Sequence, residues 1–254
     1  MTATHPEKYL PLAIAHRGGA LLAAENTAAA FRAAAAAGAE MVETDLRLTA
    51  DGHLVCLHDA DLTRIAQDDR RVADTDLATL RSLLPGMLTL EEAITASAPL
   101  GLLLDVKLLD PAILPPILTL VAGKEPQQRC MLGLRDTALL SAARRLSPDI
   151  ALLAFATDPN ATSEAKAAGA SWFRLWQADA DAARIAAIRA TGMRSVIMVG
   201  QPRSVALPGY PPFPVGRIDA EGIRRILALR PDAVMLDDPR QLIAARSVTA
   251  LSPS

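Results

Sequence analysis

Apolar residues in this chain fall in short runs, bounded by glycine, proline and charged residues. Between the runs lie alanine-rich stretches with helical spacing. The runs predict strands at Leu12–Ala15, Met41–Leu46, Leu54–Leu57, Leu102–Val106, Cys130–Leu134, Ile150–Phe155, Trp172–Leu175, Ser195–Val199 and Ala233–Leu236. The stretches predict helices at Asn26–Ala37, Thr89–Ala96, Pro111–Val121, Asp136–Arg145, Ala161–Ala168, Asp179–Ala190 and Asp219–Leu229. Their ends carry local signals: Gly38 as a C-cap, a Thr89/Glu92 capping box and Pro111 in a first turn. Strands alternating with helices mean parallel pairing and an α/β fold. A chain of 254 residues suits one barrel domain of roughly 250. No linker or repeat divides it, so positions 1–254 are expected to form a single domain.

Nine strands are one too many for an eight-stranded barrel. Between Met41–Leu46 and Leu54–Leu57 there is no helix, only Arg47-Leu48-Thr49-Ala50-Asp51-Gly52-His53. Asp-Gly is a strong signal for a two-residue hairpin turn. A turn at Asp51-Gly52 would set Asp45 opposite His58. The expected fold is therefore a (β/α)₈ TIM barrel with a β-hairpin excursion after the second strand.

Composition narrows the picture. Half the residues are hydrophobic but only 3% are aromatic, so the core must be built from Ala, Leu, Val and Ile. The net charge of −2 gives no sign of a nucleic-acid surface or a polybasic membrane anchor. No apolar run approaches the roughly 18 residues of a membrane span, and Glu7, Lys8 and early prolines interrupt any secretory leader. A soluble, cytoplasmic protein is expected, without membrane insertion; its oligomeric state is left open. Cys56 and Cys130 sit in apolar runs and read as buried free thiols.

The polar residues of interest gather at strand ends. Glu43 and Asp45 are two apart on a strand and so share a face. His16 and Arg17 follow the first strand, His58 the hairpin, and Asp105 and Lys107 end the run Leu102–Val106 or follow it. In a barrel these ends meet at the C-terminal mouth, where active sites lie. Carboxylates there would be costly to bury without a cation. Three of them make an all-oxygen site suited to Mg²⁺ or Ca²⁺. An arginine and a lysine beside them would bind an anion, with phosphate the natural candidate. Two histidines can act as general base and general acid across one phosphorus. For Asn26 and Thr27 the simpler reading is a helix cap. His5 and His53 read as bystanders. Trp176, just past its strand, is the better pocket candidate of the two tryptophans, while Tyr210 and Phe213 fit a lid or a plain loop equally well.

The stretch His16-Arg17-Gly18, Glu25-Asn26-Thr27, Phe31, Gly38-Ala39, Glu43-x-Asp45, Thr49-x-Asp51-Gly52, Val55, His58-Asp59, Leu62-x-Arg64 resembles the N-terminal signature of the glycerophosphodiester phosphodiesterase family. The likeness continues through Leu88–Glu92 and Leu104–Lys107 and returns at Ala233–Pro239. It implies a distorted (β/α)₈ barrel, a divalent metal, and hydrolysis of small-molecule glycerophosphodiesters to an alcohol and glycerol 3-phosphate. The family's catalytic histidines map onto His16 and His58, and its first two metal ligands onto Glu43 and Asp45. Its third ligand is usually a Glu in a Glu-x-Lys pair. Here Asp105 stands there with Lys107, as in sphingomyelinase D-like relatives. The C-terminal half departs from the family: the strand Ser195–Val199 lacks the usual following tryptophan stretch, and a proline-rich loop, Pro208–Pro214, follows it. Two alternatives stay open: a phosphodiesterase of other substrates (lysophospholipids or sugar diesters), and a non-catalytic binder of phosphoryl ligands.

Overall fold

The computed structural model describes residues 10–122, 124–201 and 214–249. Nine strands form one sheet: β1 (Leu12–Ala15), β2 (Met41–Leu48), β3 (Leu54–Cys56), β4 (Gly101–Val106), β5 (Cys130–Leu134), β6 (Ala151–Ala154), β7 (Trp172–Trp176), β8 (Arg194–Met198) and β9 (Ala233–Leu236). All except β3 run parallel. β1 pairs with both β2 and β9, so eight strands close into a barrel. Among the described strands β3 pairs only with the end of β2, antiparallel, and it lies outside the closed ring. This is the expected (β/α)₈ barrel with its hairpin excursion.

The alternation of side chains explains why such apolar strands are stable here. One face of each strand looks outward, where Ala13, Val42, Leu104, Leu132, Leu152, Phe173, Ile197 and Val234 pack in the large core shared with the helices. The other face fills the barrel. Ile14, Met41, Leu103, Met131, Leu153, Trp172, Val196 and Ala233, one from each barrel strand, belong to a separate inner cluster. Fully burying a side chain of Leu size contributes about 1.5–3 kcal/mol. A third cluster, with Val55, Leu57, Leu62, Val72, Leu80 and Met87, lies under the excursion.

Three details differ from expectation. First, the hairpin register is shifted by one residue. Leu46 faces Cys56 and Leu48 faces Leu54, and the Leu57 amide donates to the Asp45 carbonyl at 3.1 Å. The turn is a three-residue loop, Ala50-Asp51-Gly52, closed by the Thr49 amide on the His53 carbonyl and ended by Gly52 at φ +84°. This is the turn followed by a left-handed glycine that three-residue hairpins favour. Asp45 therefore stands opposite Leu57, with His58 one residue beyond. Second, the first long helix begins at Ala28, not Asn26. Thr27 caps it, accepting from the Ala30 amide, while Asn26 holds a left-handed backbone at φ +58°. Third, helices appear at Thr63–Ala66 and Leu77–Leu83 inside the excursion and at Pro239–Thr249 after β9. Among the described residues no helix is long and apolar enough to cross a membrane. Cys56 and Cys130 are buried and free, and burial pushes their thiols up to about 12 and about 11.

Candidate active site

Climbing each barrel strand two residues at a time from the inner apolar cluster leads straight into the site. Above Ile14 comes His16, above Met41 come Glu43 and Asp45, and above Leu103 come Asp105 and Lys107. Above Met131 come Gly133 and Arg135; above Leu153, Phe155; above Trp172, Arg174 and Trp176; above Ala233, Met235 and Asp237. The polar residues thus crown an apolar floor at the C-terminal mouth.

Glu43, Asp45 and Asp105 each offer an oxygen within 4.8 Å of the others, and all three are buried. Asp45 and Asp105 are register partners on adjacent strands. Their charge is met by cations. Lys107 Nζ lies 2.5 Å from Asp105 Oδ2 and 2.8 Å from Asp45 Oδ1. Arg135 grips both oxygens of Asp105 with its two terminal nitrogens. The Arg17 amide donates to Glu43 Oε2 at 2.7 Å, and Asn26 Nδ2 donates to Asp45 Oδ2 at 3.0 Å while accepting from Thr44. Asn26 therefore orients a carboxylate and leaves the helix cap to Thr27. Burial, with the charge of Asp45 added, pushes Glu43 up to about 7. Burial opposes ionisation of Asp45 and Asp105 as well, yet Lys107 and the neighbouring cations hold both below their usual range.

The donor set fits a divalent cation. Three clustered carboxylates supply hard oxygen ligands of the kind Mg²⁺ and Ca²⁺ take. Asp45 Oδ1 is buried, with the Lys107 ammonium 2.8 Å away as its close ionic contact. Arg17 Nε is buried without a hydrogen-bond partner, 3.8 Å from Asp45 Oδ2. Arg17 itself adopts φ +51° just after β1. Backbone strain in a buried arginine beside three carboxylates is typical of a functional site.

Each histidine has a carboxylate at Nδ1. His16 Nδ1 meets Asp237 Oδ1 at 2.7 Å, and His58 Nδ1 meets Asp59 Oδ1 at 2.7 Å. The register of β1 with β9, Ala15 against Leu236, carries Asp237 to the side of His16. Burial pulls His16 down, but the Asp237 hydrogen bond and the Glu43 charge outweigh it, and the net shift is upward. For His58 burial prevails and lowers it to about 4. The His58 carbonyl accepts from Arg47 at 2.6 and 2.9 Å. Arg64 links Asp59 to Glu25, and Glu25 pairs with Arg17, so one ionic chain runs from the hairpin to the loop after β1.

His16, His58, Glu43, Asp105, Lys107 and Trp176 all line one cavity of about 210 Å³, and Arg17 borders it too. His16 and Arg17 also face an adjoining cleft of about 590 Å³ with Arg64, Arg217 and Asp237. His16, Arg17, Glu43, Asp45, His58, Asp105, Lys107 and Trp176 are therefore gathered at this mouth, Asp45 through its contacts with Lys107 and Asn26. Tyr210, Phe213 and most of the proline-rich loop lie outside the described residues. Sequence reasoning missed Asp237, Asp59, Asn26, Arg135 and Arg174 as site residues. Asp237, Arg135 and Arg174 were within reach of the two-residue stride, because each follows an inward apolar residue by two or four positions.

The chain matches the model of the glycerophosphoryl diester phosphodiesterase family over residues 16–240, and it belongs to that family. A glycerophosphodiester phosphodiesterase of Caldanaerobacter subterraneus is 42% identical over 76 residues, 30% of this chain and 31% of that protein. The bovine glycerophosphodiester phosphodiesterase 1 is 48% identical over 73 residues, 29% of this chain and 22% of that one. The aligned stretch is thus less than a third of either relative. The fold carries further. A phosphodiesterase from Oleispira antarctica, solved in complex with the product sn-glycerol-3-phosphate, superposes with a TM-score of 0.78 at 24% identity, covering 94% of this chain and 98% of that one.

Proposed function

We propose that this chain is a metal-dependent phosphoric diester hydrolase that cleaves glycerophosphodiesters to an alcohol and glycerol 3-phosphate, with residues 1–254 acting as one catalytic domain. One observation carries the reading: two histidines, each backed by a carboxylate, face a single cavity beside a cluster of three buried carboxylates, a buried arginine and a half-buried lysine. Family membership and the product named for the Oleispira neighbour support the same substrate class.

Glu43, Asp45 and Asp105 would hold the divalent cation, Mg²⁺ or Ca²⁺, which when bound would stabilise charge on the phosphoryl oxygens. Arg17 and Lys107 bind those oxygens from the protein side. His58, whose pKa burial lowers to about 4, accepts a proton from the attacking water. His16, whose affinity for its proton is raised by the Asp237 hydrogen bond and the Glu43 charge against the pull of burial, gives its proton to the departing alcohol oxygen. The attacking and leaving oxygens lie roughly in line across phosphorus, so two separate groups suit the two transfers. Trp176 borders the substrate in the cavity.

The test is direct. A panel of glycerophosphodiesters and lysolipids is incubated with Mg²⁺ or Ca²⁺, and products are followed by phosphorus NMR. Glycerol 3-phosphate should appear from the glycerophosphodiesters and only with metal. Turnover confined to lysolipids, or undiminished by excess chelator, would overturn the reading.

A further inference from the structure

The cavity is also lined by Arg135, just past β5, and Arg174, on β7, to which the reaction as proposed gives no task. Gly133 ends the inner face of β5, and a Cβ there would lie 2.1 Å from the Phe155 ring. The glycine is thus what lets Phe155 lie across β5. Two residues on, Arg135 brings its guanidinium to 5.1 Å from the centre of that ring. Arg174, from β7, stands 5.7 Å from Phe155 and 4.7 Å from Trp176, and gives Nη2 to the Ala156 carbonyl at 3.2 Å. Trp176, Arg174, Phe155 and Arg135 make a row in which aromatic rings mount the two guanidiniums by cation–π contact.

Arg135 is the end of the row that meets the carboxylates. Its fork closes on both oxygens of Asp105, and its side chain is 35% exposed toward the cavity. A divalent cation and a guanidinium fork compete for the same two oxygens. A cation bound there would displace the fork, and the contacts Arg135 already makes with the Val106 carbonyl at 3.1 Å and the Phe155 ring would hold it in place with its fork open to an incoming anion. A planar fork of this kind matches a carboxylate.

We propose that Arg135, with Arg174 beside it, forms a subsite for a carboxylate carried by the alcohol half of the diester, so that amino-acid-like alcohols are preferred over simple amino alcohols. This rests on the phosphodiesterase reading and adds a substrate class to it. Guanidiniums already stand against the Phe155 and Trp176 rings, so a headgroup that is only cationic meets like charge there.

The matched pair is glycerophosphoserine and glycerophosphoethanolamine, which differ only by the carboxylate. At saturating metal, wild type should favour the serine diester in kcat/KM by roughly 10- to 100-fold, the range of one charge-assisted hydrogen bond. Arg135→Gln should erase the preference, Arg174→Gln should reduce it, and Arg135→Lys should restore part of it. The ratio is insensitive to general loss of activity, so an equal fall on both diesters in Arg135→Gln would reject the subsite. Calorimetry separates the other roles. Mg²⁺ should bind Arg135→Gln at least as tightly as wild type, and weaker binding would assign Arg135 to building the metal site instead. On the His58→Ala background the two diesters should bind with the same discrimination. Equal affinity there would also overturn the proposal, whereas discriminating binding with no cleavage by wild type would leave the subsite standing and remove the phosphodiesterase reading.

Discussion

Burial draws both histidine pKa values down, and what separates them is the company each keeps. His16 is nearly enclosed, yet the Asp237 hydrogen bond and the Glu43 charge bring it above its ordinary 6.5. His58 has Asp59 and the Asp45 charge beside it, but Lys107 and Arg17 reinforce the burial and it falls to about 4. A neutral imidazole suits a base and a charged one an acid, which is why the proposed mechanism gives His58 and His16 those roles. Loss of either should cost roughly 10²–10⁴-fold in kcat. His16→Ala should recover on an aryl diester, whose leaving group needs no proton, and His58→Ala should not. Equal rescue of both would reject the division. The pH profile offers an independent check. Activity should fall at high pH as His16 loses its proton, and because Asp237 raises that pKa the limb should lie above 6.5. Asp237→Asn removes the charge, so the limb should move to lower pH. A limb that stays in place would detach Asp237 from the acid.

At the scale of elements, the barrel strands were legible because burial on both faces writes near-continuous apolar runs. The excursion was legible only in outline. Its helices, Thr63–Ala66 and Leu77–Leu83, are four and seven residues long, too short for a helical period to declare itself. Its register was misplaced by one because Asp-Gly fits both a two-residue turn and the last two positions of a three-residue loop. The final helix, Pro239–Thr249, announces itself in sequence only by its leading proline, directly behind the last strand. Asn26 was equally ambiguous: a polar residue before a helix reads as a cap, and only the tertiary fold shows it reaching Asp45. The excursion holds His58 by packing on its own small core. Leu62 and Leu80 are fully buried there. Either changed to Ala should therefore cost about 2–5 kcal/mol in chemical denaturation and lower turnover below the unfolding midpoint. Unchanged stability would mean that the excursion is held by its ionic chain instead.

Over the whole molecule, barrel closure brings three buried carboxylates and a set of cations to one mouth, and their balance decides how a metal can enter. Without metal, Lys107 and Arg135 share Asp45 and Asp105, while Glu43, up to about 7 from an ordinary 4.5, tends to keep its proton. The folded metal-free chain thus holds a proton between pH 4.5 and 7 that the unfolded chain gives up. Its stability from this group should decline as pH rises through that window. A divalent cation needs the ionised carboxylate, so binding must expel the proton wherever it is present. Affinity for Mg²⁺ should therefore weaken by up to about tenfold for each pH unit below 7 and level off above it. Linkage carries the effect into stability: at 100 times Kd a ligand stabilises the fold by about 2.7 kcal/mol, so a fixed Mg²⁺ concentration should raise Tm more at pH 7.5 than at pH 5.5. Calorimetry at pH 6 in buffers of different ionisation enthalpy should give heats that scale with the buffer, as expected for release of close to one proton. Glu43→Gln should remove that dependence and weaken binding at every pH. Heats independent of buffer, with one Kd at pH 5.5 and 7.5, would show that Glu43 enters the site already ionised.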